Sequence, residues 1–215
     1  VVVLVGQRLP AGVALRDLGA VRLRGLASPE LVYQVVHQQL RQDFPALRSL
    51  EATPNNLPQQ ATSFIGRETE LADVRSLLER ARMLTLTGSG GCGKTRLSLQ
   101  VAADALERFP DGAWLVELAP LSNPGLVPQT VATVLGLKEA PGKSIAQTLT
   151  AYLKDKRLLL LLDNCEHLLD ACAQLVDTLV RQCPTVTIVA TSREALGIGG
   201  EQALRFVRNL RRGRS

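Results

Sequence analysis

Three observations predict an α/β domain built on a doubly wound parallel sheet. First, the octet Gly88-Ser89-Gly90-Gly91-Cys92-Gly93-Lys94-Thr95 fits GxxxxGK[ST] and lies between an apolar run and an amphipathic stretch. Second, short apolar runs alternate downstream with longer segments of helical period. Third, two of those runs end on polar residues, Asp163 and Thr191-Ser192-Arg193, at the strand ends where such sheets meet ligands.

In chain order, Val21-Arg22-Leu23-Arg24 alternates with the strand period, and Leu31-Val32-Tyr33-Gln34-Val35-Val36 is rich in β-branched residues. Strands are expected there, with Gly19-Ala20 near a turn; so few strands cannot make a full core alone. From about Gln38 to Thr62 the periodicity fades, and Pro45, Pro54 and Pro58 with Asn55-Asn56 and Gln59-Gln60 read as a linker. A helical pattern follows at Leu71, Val74, Leu77 and Leu78. Met83 to Thr87 reads as a buried strand, and Arg96 to Phe109 as an amphipathic helix. Beyond them, Trp114 to Leu118 reads as a strand, Leu126 to Leu135 and Ile145 to Leu153 as helices, and Arg157 to Leu162 as a strand. Cys165 to Val180 reads as a helix, Val186 to Ala190 as a strand, and Ala203 to Val207 as one more short strand. The organisation expected is a small β fragment over 1–37, a linker over 38–62, the α/β domain over 63–207 and a basic tail over 208–215.

At 215 residues and 46% hydrophobic content, one sizeable core is expected. The net charge of +5 comes from scattered arginines and from Arg208, Arg211, Arg212 and Arg214; with aromatics at 3% there is no basic stripe interleaved with stacking residues, so direct nucleic-acid binding is not expected. Cys92, Cys165, Cys172 and Cys183 form no CxxC pair, and His37 and His167 are the available imidazoles, so neither a zinc site nor a disulfide framework is expected. Free thiols fit the reducing cytoplasm. Val1 to Val5 lacks a basic flank, and both it and Leu158 to Leu162 are too short to cross a bilayer, so no membrane association is expected. The first residue is not Met and the chain stops in its basic tail, which reads as a piece of a longer protein.

The octet carries the chemistry of a phosphate cradle. Glycines let backbone N–H groups turn inward at Gly88, Ser89, Gly90, Gly91, Cys92 and Gly93, and the helix N-terminus around Thr95 and Arg96 adds positive potential. Lys94 would reach the terminal phosphates as a point charge, and the Thr95 hydroxyl would ligate Mg²⁺. The other reading is a Gly-rich turn capping an ordinary helix. Asp163 ends a leucine run, where a carboxylate set beside the phosphate loop would hold Mg²⁺ opposite Thr95; alternatively Asp163 or Asn164 caps the next helix. Asn164 stands where many hydrolysing enzymes of this kind carry a second acid, which points to slow turnover. Glu166 is a candidate base or the end of a first-turn capping arrangement, and His167 is expected at the surface. Arg193 would sense a γ-phosphate, or pair with Glu194 or another surface carboxylate.

Taken together, Phe64-Ile65-Gly66-Arg67-Glu68, the phosphate loop, Leu160-Leu161-Leu162-Asp163-Asn164 and Thr191-Ser192-Arg193 resemble the STAND class of P-loop NTPases, the NB-ARC-like ATPase modules of large bacterial regulators. The resemblance covers about Thr62 to Val207. It implies that Ile65, Gly66 and Arg67 contact the base or ribose, that Arg193 reads the γ-phosphate, and that ATP or ADP with Mg²⁺ is the ligand. Leu15 to Gly19, Arg22 to Leu26 and Pro29 to Val35 resemble the closing strands of a class III adenylate/guanylate cyclase domain, whose metal-binding and catalytic residues would lie upstream. An ATP/ADP switch module with slow hydrolysis, within a regulator whose other domains or protein partners complete it, is the leading expectation. The alternatives are a metabolic P-loop phosphotransferase and a truncated nucleotide-binding remnant without turnover.

Overall fold

The structure, a computed structural model, describes residues 10, 12–21, 30–37, 40, 53–58, 67–139 and 141–206. It divides into two compact units, Val1–Ala52 and Thr53–Ser215. In the first, strand β1 (Ala14–Val21) pairs antiparallel with β2 (Glu30–Val36). β1 starts earlier than the alternation at Val21 suggested, and residues 22–24 lie outside the described set. Gly19 is not near a turn but inside β1, where the register shifts between Asp17 and Ala20; Gly19 takes φ +84°, and its N–H donates to Asp17 Oδ1 at 2.7 Å. The carboxylate satisfies a donor at the irregularity in the ladder.

The second unit is a five-stranded parallel sheet in the order β4-β5-β6-β3-β7, with β3 Met83–Gly88, β4 Ala113–Glu117, β5 Leu159–Asp163, β6 Thr187–Ser192 and β7 Gln202–Phe206. The helices are α1 (Glu68–Arg80), α2 (Lys94–Ala105), α3 (Val127–Val134), α4 (Ile145–Leu153) and α5 (Leu169–Gln182). Every residue of β3, β5 and β6 is buried, as strands covered on both faces require. Leu158, Leu160, Leu162, Ile188 and Ala190 share one cluster with Val131, Leu149, Leu153, Cys172, Val176 and Leu179 of α3 to α5. Leu159, Leu161 and Val189, of opposite parity, are equally buried.

Two expectations need correction. The helix expected over Cys165 to Val180 is a short 3₁₀ turn, Cys165–His167, followed by α5; the break sits at Leu168, whose N–H returns to the Cys165 carbonyl at 3.0 Å. Part of the expected linker is a docked segment. Asn55 bridges to Ala113, Ala113 N–H donates to the Pro54 carbonyl at 3.2 Å, and the Asn56 amide exchanges two bonds with Leu115, at 2.6 and 2.8 Å. The amide imitates a strand's backbone and covers the β4 edge, which would otherwise expose unpaired groups. Residues 38, 39, 41–52 and 59–62 of the linker, and the tail 208–215, lie outside the described set. In the sheet, β6 lies between β5 and β3.

Candidate functional site

The site forms at the carboxyl end of the sheet, where β3 turns through the phosphate loop into α2. Gly88 takes φ +149°, and a Cβ there would lie 2.5 Å from the Phe206 carbonyl oxygen. Gly93, immediately before α2, takes φ +90° and starts the helix in the left-handed region. Lys94 opens α2 and is 7% exposed; its Nζ donates to the carbonyls of Gly88 (2.8 Å) and Ser89 (3.1 Å). It has no carboxylate partner among the described residues. A buried ammonium at the positive end of a helix is a position that calls for an anion.

The Thr95 hydroxyl donates to Asp163 Oδ1 at 2.7 Å, so the two expected metal ligands meet although β6 lies between β5 and the strand that leads into α2. The Thr191 hydroxyl donates to the same oxygen at 2.6 Å. Asp163 is therefore no helix cap: the turn after it has no side-chain cap bond, and its carboxylate faces two hydroxyls instead. Asn164 takes φ +63°, a conformation asparagine tolerates better than most residues, and its N–H donates to Thr191 Oγ1 at 3.0 Å. Glu166 forms no capping arrangement with Asp163. Its Oε1 lies 3.4 Å from Arg193 Nε, while its buried Oε2 has no hydrogen-bond partner among the described residues. Arg193, 70% exposed, thus pairs with Glu166 rather than Glu194. His167 is exposed, with Nε2 2.8 Å from the Leu121 carbonyl oxygen.

Arg67 stands 6.0 Å from the centre of the Phe206 ring, and its buried Nη1 has no hydrogen-bond partner among the described residues. Ile65 and Gly66 lie outside the described residues. Ser89, Gly90 and Gly91 are exposed, Cys92 is buried, and Arg96 is half-buried in the first turn of α2. Sequence reasoning gave Thr191 and Phe206 no role. Thr191 stood inside a motif whose arginine drew the attention, and the place of Phe206 depends on β7 pairing with β3.

The donor set suits Mg²⁺ held largely by phosphate and water: one hydroxyl and one carboxylate converge, and the described residues contain no cluster of three or more metal-binding side chains. The loop suits a phosphate chain, since glycine keeps its floor open and a buried lysine stands at its end. Among the described residues no helix is long and apolar enough to cross a membrane.

Comparison with known proteins agrees with this geometry. The chain is 49% identical over 140 residues to an uncharacterized protein of Mycobacterium tuberculosis, an alignment covering 65% of this chain and 36% of that protein. It is 48% identical over 128 residues to a protein of the same organism named "Putative HTH-type transcriptional regulator", covering 60% of this chain and 14% of that one. The chain therefore spans well under half the length of these relatives. Among solved structures, Cdc6p from Pyrobaculum aerophilum shares the fold with a TM-score of 0.50 at 18% identity, covering 72% of this chain and 48% of that one. The family described as Novel STAND NTPase 1 matches residues 34–198, and with phosphate loop, carboxylate strand and parallel sheet in place, the chain belongs to that family of P-loop NTPases.

Proposed function

We propose that this chain is an ATP/ADP-binding switch module that hydrolyses ATP slowly with Mg²⁺ and works within a larger bacterial signalling or transcriptional regulator. The observation that carries the reading is the buried, carboxylate-free Lys94 beside the Thr95–Asp163 pair. Lys94 would meet the β- and γ-phosphates, and Thr95 and Asp163 would hold the Mg²⁺ that neutralises them. The buried, unpartnered Arg67 Nη1 supports a polar role for that residue at the base or ribose side, next to Ile65 and Gly66. Glu166 is the candidate base. Its pairing with Arg193, and an amide rather than an acid at Asn164, fit slow turnover. Arg193 would leave Glu166 for a γ-phosphate, which distinguishes ATP from ADP.

The relative named as an HTH-type transcriptional regulator, of which the chain matches 14%, supports a module completed by other domains or protein partners. We read Val1 to His37 as closing strands of a cyclase-like domain that makes no cyclic nucleotide, a reading that rests on the sequence resemblance alone. The four free, buried thiols fit a reducing cytoplasm. The test is titration of fluorescent ATP, ADP and GTP with Mg²⁺ or with chelator, beside phosphate release. Mg²⁺-dependent ATP and ADP binding with slow phosphate release is expected. Absence of nucleotide binding by the folded chain would overturn the reading, and cyclic AMP formed with Mn²⁺ would overturn that of the first unit.

A further inference from the structure

β6 separates the carboxylate strand β5 from the phosphate-loop strand β3. Neighbouring strands lie roughly 4.8 Å apart, so two such steps, roughly 10 Å, separate the β5 and β3 backbones. Thr191, opposite Leu86 of β3 and one residue beyond the Leu162–Ala190 pair of β5 and β6, occupies that interval. It is 1% exposed, and both capacities of its hydroxyl are engaged: it donates to Asp163 Oδ1 at 2.6 Å and accepts from Asn164 N–H at 3.0 Å. Asn164 is the one described non-glycine residue at positive φ, so the same hydroxyl steadies both the carboxylate and the unusual backbone that follows it. Asp163 Oδ1 is thereby occupied by Thr95 and Thr191, while Oδ2 accepts from none of the described residues.

We propose that Thr191 is a positioning residue for Mg²⁺: it fixes the Asp163 carboxylate so that Oδ2 is the oxygen left for the ion or its water shell. This rests on the reading of the site as a Mg²⁺–nucleotide site. A hydroxyl has one proton and two lone pairs, so Thr95 can keep its bond to Oδ1 and still turn a lone pair to the ion. Thr191 supplies the second anchor, without which the carboxylate can rotate and both oxygens become interchangeable. Outer-shell partners of metal ligands act in this way and weigh heavily on metal affinity.

The experiment measures the Mg²⁺ concentration giving half of the Mg²⁺-dependent ATP-binding signal, together with ATP affinity in chelator. Thr191→Val, which keeps the shape and removes the hydroxyl, is expected to raise the Mg²⁺ requirement about tenfold and leave ATP affinity in chelator within about twofold. Thr191→Ser keeps both bonds and is expected to match wild type. In an Asp163→Asn background, Thr191→Val is expected to add nothing further, because its effect passes through that carboxylate. Should Thr191→Val fail to fold, it is combined with Asn164→Gly, which relieves the left-handed backbone, and compared with Asn164→Gly alone. An unchanged Mg²⁺ requirement in a folded Thr191→Val protein, or an equal increment in the Asp163→Asn background, overturns the proposal while leaving the nucleotide site standing. A wild-type chain whose ATP binding ignores Mg²⁺ overturns the site reading itself.

Discussion

Cations gather at both ends of the sheet in the second unit, and their surroundings differ in kind. At the carboxyl end, Lys94 is buried at the start of α2. At the amino end, a cleft of about 200 Å³ is lined by Arg80, Arg82, Arg108 and Arg157 with Glu79 as its one acid. Those four side chains are exposed and also lack a carboxylate partner among the described residues. Yet Arg82 Nη1 donates to the carbonyls of Val180 (2.9 Å) and Cys183 (3.4 Å) where α5 ends, and Arg108 Nη2 to that of Leu78 (3.2 Å) where α1 ends. Helix C-termini carry negative potential and unsatisfied carbonyls, so an arginine there is already compensated. Lys94 faces the reverse polarity and is almost wholly buried. An unpaired cation therefore points to an anionic ligand when burial and helix polarity both oppose it, and arginine number alone does not.

Lys94→Ala tests the comparison most severely. ATP and ADP affinity should fall about tenfold or more by equilibrium titration, since a charge-assisted contact to phosphate is lost. The Tm without nucleotide should change by no more than a few degrees, because the two carbonyl bonds that are lost are offset by removal of a charge the helix opposes. Unchanged affinity in the folded variant would erase the distinction between the two ends. Arg193→Ala should narrow the ATP/ADP affinity ratio by about fivefold and leave ADP affinity nearly intact; if ADP binding drops as far as ATP binding, or neither changes, the residue is only Glu166's surface partner. At the amino end the readout moves to stability. Arg82→Ala should lower Tm by about 2–4 °C through loss of the α5 terminal bonds, with nucleotide affinity unchanged. A nucleotide effect there would mean that the two ends communicate.

The smallest effect concerns Asp111, near the amino-end cleft. A hydrogen bond from Lys156 Nζ at 2.9 Å and one from the Arg157 N–H at 2.8 Å hold this carboxyl below its ordinary pKa, against the opposing effect of burial. A carboxylate with a lowered folded-state pKa stabilises the fold above its unfolded value and loses that contribution as pH falls through the folded one. Asp111→Asn should accordingly lower Tm by about 2 °C at neutral pH, a difference that closes in thermal melts as pH falls below the ordinary carboxylate value of 3.8. A difference that persists at low pH would show that the shape of the side chain matters rather than its charge.

Much of the second unit was legible because its signals are local. Leu159 to Asp163 and Thr187 to Ser192 lie on both-sided apolar runs that admit little but buried strands, and the Gly-rich octet fixes a strand before it and a helix after it. Strand order is not local. Nothing in the residues of β6 announces that it inserts between β5 and β3, yet Asp163 reaches Thr95 at the end of the loop across that strand. Asn56 looked like linker for the same reason, its partner Leu115 being 59 positions away. The break at Leu168 escaped the helical period because apolar residues continue through it. The Glu166–Arg193 pair joins residues on separate connections, and each had been given its own role.

Gly88, Phe206 and Arg67 meet at one point: the Phe206 carbonyl fills the space a side chain at 88 would need, and the Arg67 guanidinium stands over the ring. A lever works when its far end bears directly on what it moves. Among the described strands β7 lies at the edge and pairs with β3, and its last residue rests against the first residue of the phosphate loop. A pull on the chain leaving β7 would therefore reach the loop without an intermediary. Nucleotide release, timed as a dissociation rate, is the quantity in which such a pull would register first.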